Sequence, residues 1–136
     1  MQIYTFKTII AVLTLLIPTA HVHAQATTGR SPGAIACSML GDTFYTATSM
    51  RDHGLSFKDD IDMAADTAQK MPNPLWPPLG YVKFYALIAT NARWNPQYQH
   101  TGPSMNKLLA ESRCTSVGFQ AFYAELEEFG KTLSKQ

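Results

Sequence analysis

The sequence predicts an all-α fold, a compact bundle of four to five helices closed by one disulfide, and three observations carry that prediction. Apolar residues recur at steps of three and four along most of the chain, no stretch reads as a strand ladder, and the only two cysteines, Cys37 and Cys114, sit on helical stripes. Glycine and proline clusters divide the periodic stretches, which supplies the turns a bundle needs.

In chain order, Ser31-Pro32 reads as a helix start, with serine placed to cap and proline at the first helical position, where its missing N–H is harmless. Cys37, Leu40, Phe44, Ala47 and Met50 form the buried stripe of this first helix. Gly54 supplies a left-handed stop, and Leu55 folds back as its hydrophobic contact. Ser56 and Asp59 then open a second helix in the manner of a capping box, with Phe57, Ile61, Ala64, Ala65 and Ala68 on its inner face.

The segment MPNPLWPP, Met71 to Pro78, holds four prolines and is not regular helix. A third helix follows from about Leu79 to Arg93, carrying Val82, Tyr85, Ile88, Ala89 and Ala92 inward. Trp94 to Pro103 is a loop, with Asn95-Pro96 and Gly102-Pro103 as breakers. Ser104 opens a fourth helix whose apolar members are Met105, Leu108, Leu109 and Cys114. The last helix has the clearest stripe: Phe119, Phe122, Leu126, Phe129 and Leu133.

Residues 1–24 have the three-part layout of a secretory signal peptide: one cation at Lys7, an apolar run from Ile9 to Ile17, and Val22-His23-Ala24 before Gln25. The apolar run is about half the roughly 20 residues a membrane span needs, so no stable membrane insertion is expected after cleavage. That leaves residues 25–136 as a single helical domain, directed to the periplasm or secreted. In an exported chain a lone pair of cysteines points to a disulfide.

Beyond Lys7 the basic and acidic residues balance, and no basic run is present, so neither nucleic acid nor an anionic membrane is an expected partner. Charge is nevertheless segregated. Asp42, Asp52, Asp59, Asp60, Asp62 and Asp66 face only Arg51 and Lys58, whereas Lys70 to Arg113 is basic. The chain has no Gly-x-Ser-x-Gly elbow, phosphate-cradling glycine loop or His-Glu-x-x-His zinc signature, so no catalytic residue, metal site or cofactor is expected.

Several residues stand out as candidates for binding or bracing. In the cluster Asp59, Asp60, Asp62 and Asp66, the residues Asp59, Asp62 and Asp66 share one helical face, although the helix dipole alone favours Asp59, Asp60 and Asp62 in the first turns and a solvated acidic face explains the cluster. An EF-hand needs ligands on alternate residues and a loop glycine, which are missing. His53, in the last turn of the first helix, suits the carbonyl end of the dipole. Arg51 returns to the face of Cys37, so its stem can line the core while its guanidinium reaches loop carbonyls or a carboxylate such as Asp52. Trp76 and Trp94 bracket the third helix, roughly 20 Å apart for some fifteen residues at about 1.5 Å each, and make no single platform unless the loops fold together.

Taken in order, Cys37, Arg51-Asp52-x-Gly54-x-Ser56, Tyr85 and Cys114 resemble the pattern of small exported two-cysteine helical proteins of proteobacteria whose function is unknown. The resemblance spans most of the chain beyond residue 24. It implies a periplasmic, all-helical, disulfide-linked domain and no particular activity.

Three function classes follow as expectations. The first is a non-enzymatic module that binds another protein, of an envelope-stress, inhibitor or immunity type. The second is an acid-responsive periplasmic chaperone, in which protonated aspartates expose the Phe119–Leu133 stripe. The third is a small-ligand carrier or enzyme built on the aromatic loops.

Overall fold

The computed structural model describes residues 29–71 and 78–135, and its helices belong to one compact unit, Pro32–Gln136. The expected signal peptide, residues 1–24, and residues 72–77 of the proline-rich loop, Trp76 included, lie outside the described residues. The five helices are α1 Pro32–Asp52, α2 Phe57–Lys70, α3 Pro78–Trp94, α4 Pro103–Val117 and α5 Phe119–Leu133. Among the described residues there is no strand, so the fold is an all-α bundle.

The turn between α1 and α2 follows directly from its residues. Gly54 adopts φ 80°, its N–H donates to the Arg51 carbonyl at 2.9 Å, and the Leu55 N–H reaches back to the Met50 carbonyl at 3.1 Å. Those two bonds satisfy carbonyls that a helix end would otherwise leave open. Ser56 caps α2 by accepting from the Asp59 N–H at 3.1 Å. The Asp59 carboxylate accepts a hydrogen bond from the Ser56 hydroxyl at 2.6 Å, so the box closes on the side chain of the cap and not on its backbone.

Helices α1 and α4 run antiparallel. Cys37 near the start of α1 is bonded to Cys114 near the end of α4, with their Cα atoms 5.5 Å apart, and Thr48 late in α1 meets Asn106 early in α4. Gly41 permits the close approach between them, because a Cβ there would stand 2.3 Å from Cγ of Glu111. Closing a loop across a sequence separation of 77 residues restricts the unfolded chain by about 4 to 5 kcal/mol before native strain is subtracted.

The core gathers Leu40, Phe44 and Ala47 of α1, Phe84, Tyr85, Ile88 and Ala89 of α3, Phe122 and Leu126 of α5, and Tyr98 from the α3–α4 loop. Helix α3 is central and packs against α1, α2 and α5. The stripe on α5 faces inward as its spacing requires, with Phe122 and Leu126 fully buried.

Two departures from the sequence pattern stand out. In α4 the buried residues are Asn106, Ala110 and Cys114, while the apolar Met105 and Leu108 face out at 50% and 59% exposure. The polar Asn106 displaces them because its amide is fully used inside, as described below. In α2, Asp60 is not part of a solvated acidic face. It is completely buried, on the same stripe as Ala64 and Ala68.

Candidate functional site

Arg51 sits in the last turn of α1, and the inward face of that helix aims its side chain at the α3–α4 loop. There the guanidinium does what few single side chains can: it gathers three backbone carbonyls. Nη1 donates to Ala92 O at 2.6 Å and Tyr98 O at 3.0 Å, and Nη2 donates to Thr101 O at 2.7 Å. Nε donates to Asp52 Oδ1 at 2.7 Å, which balances the charge. Charge-assisted bonds of this kind are stronger than neutral ones, and the rigid guanidinium plane fixes the relative positions of all three acceptors.

Asn106 completes the clamp from α4. Its Nδ2 donates to Thr48 Oγ1 at 2.9 Å and to Tyr98 O at 3.0 Å, and its Oδ1 accepts from the Thr101 hydroxyl. Tyr98 itself is plugged into the core against Phe44, ring centroids 4.6 Å apart. Burial pushes its phenol up to about 12. Residues 95–102 thus form no helix yet are anchored by an arginine, an asparagine and a buried tyrosine.

A second buried polar group lies beside this clamp. Asp60 accepts from the Tyr85 hydroxyl at 2.6 Å and from Arg93 Nη2 at 3.0 Å, which ties α2 to α3. Burial, with the Asp60 bond and charge adding to it, raises the Tyr85 phenol far above its ordinary range. Asn91, two residues before Arg93, donates to Leu126 O at 3.2 Å and so links α3 to α5. Removing either partner of a buried ion pair leaves an uncompensated charge, so Asp60 and Arg93 constrain each other strongly.

What these groups hold in place is an exposed surface. Trp94 is 44% exposed and makes an edge-to-face contact with Phe57, centroids 5.1 Å apart, across the α2–α3 junction. Asp52, His53, Pro96, Gln97 and His100 are also exposed in these two segments. His53 Nδ1 lies 2.6 Å from the Ser49 carbonyl, and because a carbonyl only accepts, this bond needs a proton on Nδ1. The stretch from Met50 to Asp60 and the α3–α4 loop therefore form one end of the bundle.

The remaining candidates are dispersed. Asp62 pairs with Lys58 and Asp66 with Lys70, each four residues away on α2, and Asp59 is engaged by Ser56. The face that reads as acidic in sequence is thus largely neutralised by its own helix. The Asp62 carboxylate in turn raises the Lys58 ammonium above its usual range. Among the described residues no group of three or more His, Cys, Asp or Glu is placed to hold a metal ion, and no helix is long and apolar enough to cross a membrane.

The sequence does not single out Arg93, Asn91 or Asn106, and it presents Asp60 only as one acid of a first-turn cluster. A signal for Asp60 was present, since it falls on the Phe57, Ala64, Ala68 stripe where a charge has no place without a partner. Asn106 likewise lies four residues before Ala110 and eight before Cys114. Searches against family models, curated proteins and solved structures found no match to this chain, so the geometry stands by itself.

Proposed function

We propose that this is an exported, non-enzymatic protein that binds another protein through the end of the bundle built by Asp52 to Phe57 and Trp94 to Thr101. The observation that carries the reading is the Arg51 clamp, three carbonyl bonds holding an otherwise irregular loop beside an exposed tryptophan. A loop ordered before binding loses little further entropy on association, and a rigid aromatic is an efficient anchor. Export to the periplasm or outside the cell is supported by the layout of residues 1–24 and by the disulfide. An inhibitor, immunity or envelope-stress role fits such a module.

The test is affinity capture from extracts of the native cell envelope with the wild type, with Trp94→Ala, and with Asp62→Asn/Asp66→Asn. Loss of a captured protein with Trp94→Ala alone supports this end of the bundle. Equal recovery with all three removes both faces.

A second reading, the acid-responsive chaperone, is favoured by Asp60. This buried carboxylate and Arg93 form an ion pair that holds α2 on α3. The reading requires suppression of client aggregation at about pH 3 and none at neutral pH; the absence of that difference excludes it.

A further inference from the structure

Asn91 is a polar residue inside α3, fully buried on the helix that also buries Ile88, Ala89 and Ala92. Asparagine is a poor interior residue for a helix, and its amide costs free energy in an apolar core unless it is hydrogen-bonded. Here both donors and the acceptor oxygen are used. Nδ2 donates to Leu87 O in its own helix at 3.0 Å and to Leu126 O of α5 at 3.2 Å, and Oδ1 accepts from Asn95 Nδ2 at 2.9 Å. The two helices are close at this level, since a Cβ on Gly130, one turn beyond Leu126, would stand 3.8 Å from Leu87 Cδ1.

These bonds belong to a longer chain. Asn95 lies one turn after Asn91, where side chains four residues apart meet, and its N–H still donates to Asn91 O at 3.0 Å. Pro96 then carries the backbone out of the helix, and Asn95 Oδ1 accepts from the Gln97 N–H at 3.0 Å, closing an Asx turn. From the loop to α5 the donors therefore run one way: Gln97 N–H to Asn95 Oδ1, Asn95 Nδ2 to Asn91 Oδ1, Asn91 Nδ2 to Leu126 O. That polarity is locked at both ends, because a backbone N–H only donates and a backbone carbonyl only accepts. Turning either amide round would set donor against donor or acceptor against acceptor, and bonds aligned in this way strengthen one another. Asn95 also presents its own carbonyl to the Tyr98 and Gln99 N–H groups, each at 2.9 Å, so it holds the start of the loop whose later residues Arg51 and Asn106 hold.

We infer that Asn91 is a positioning residue that couples α5 to the Trp94 end of the bundle, so that order at one favours order at the other. A shift of α5 at Leu126 strands an Asn91 N–H in the core, and a loop that opens at Asn95 strands Asn91 Oδ1. Either defect is costly for an amide with no exposed surface. Trp94 immediately precedes Asn95, so its exposed ring stands on the coupled segment. The coupling is a property of the chain alone. Its use rests on the reading of the Trp94 end as a binding surface: a partner that orders the loop tightens α5, and a change at α5 alters affinity for the partner by the same factor.

Native-state hydrogen exchange on the purified oxidised protein tests it with Asn95→Ala, a variant that removes only the loop's share of the chain. The Gly130 N–H, whose helical acceptor is Leu126 O, reports on α5, and the Tyr98 and Gln99 N–H groups report on the loop. Asn95→Ala should speed exchange of Gly130 as well as of Tyr98 and Gln99, by about fivefold, the equivalent of one net neutral hydrogen bond. The Phe122 N–H, bonded to Gly118 O at the start of α5, should keep its rate. Asn91→Leu, which keeps the core filled, should speed both sets; where circular dichroism shows that it fails to fold, Asn95→Ala carries the test. Unchanged exchange at Gly130 in Asn95→Ala overturns the coupling, and so does equal acceleration of Gly130 and Phe122, which marks a general loosening. No partner enters the measurement, so its outcome is independent of the capture experiment.

Discussion

At one end of the bundle a covalent bond between Cys37 and Cys114 joins α1 to α4. At the other end the same two helices are joined by Thr48 and Asn106, and Arg51 and Asp60 extend that polar network to the α3–α4 loop, α2 and α3. The disulfide acts chiefly on the unfolded chain and asks little of its surroundings. The polar network acts on the native state, directionally, and it has a product: a stretch of irregular backbone held in one conformation. Where a helical protein uses hydrogen-bonded charge to order a loop, the loop rather than the core is what the arrangement serves.

That contrast can be broken most severely at Asp60. Asp60→Ala strands Arg93 without its carboxylate and should lower stability by about 3 to 5 kcal/mol in urea unfolding, whereas Asp60→Leu combined with Arg93→Met should recover much of the loss. Recovery would show that the pair is held for specificity more than for stability. Replacing both cysteines by alanine should lower stability by about 2 to 4 kcal/mol while leaving the Phe57–Trp94 contact, and hence the Trp94 emission read in a Trp76→Phe background, unchanged. An emission change on removal of the disulfide would mean that the two ends are not independent.

Alkaline titration gives a smaller effect, greatest at the clamp and its neighbour. Tyr98 is pushed up to about 12 and Tyr85 is raised further, so both phenols stay neutral in the native protein at a pH where they ionise in the unfolded chain. The unfolded state then binds fewer protons, and stability falls as pH rises above about 10, the ordinary phenol value. Phenolate absorbance should correspondingly appear in two steps, exposed tyrosines first.

The smallest effect belongs to the Arg113–Glu125 bridge between α4 and α5, at 2.6 Å but solvent-exposed. The arginine holds the Glu125 carboxyl below its usual range, so its contribution is present above about pH 4.5 and disappears as the pH falls through the native value. Glu125→Gln should lower the Tm slightly at neutral pH and not at all in strong acid.

The helices and the disulfide were legible in the sequence because they rest on local signals: the Gly54-Leu55-Ser56 punctuation, the stripe from Phe119 to Leu133, and a single pair of cysteines. The partners of Arg51 were legible only as a type, carbonyls or a neighbouring carboxylate, because Ala92, Tyr98 and Thr101 come together only through the tertiary fold. The outward turn of Met105 and Leu108 was hidden for a different reason. An apolar side chain ordinarily outcompetes an amide for the core, and only the combined acceptors of Thr48, Tyr98 and Thr101 reverse that preference for Asn106. Asp60 was read as a helix-dipole acid for the same reason, since its partners lie 25 and 33 residues away.

Native-state hydrogen exchange on Arg51→Met tests most directly whether the clamp orders the loop. The Tyr98 and Gln99 N–H groups bond to Asn95 O, and Thr101 N–H bonds to Tyr98 O, so their protection reports loop order. Loss of the charged donor should speed their exchange at least about tenfold, the equivalent of one net charge-assisted bond, while amides around Cys114 keep their protection. Unchanged exchange in residues 95–101, or the same acceleration at both ends of the bundle, would contradict the account.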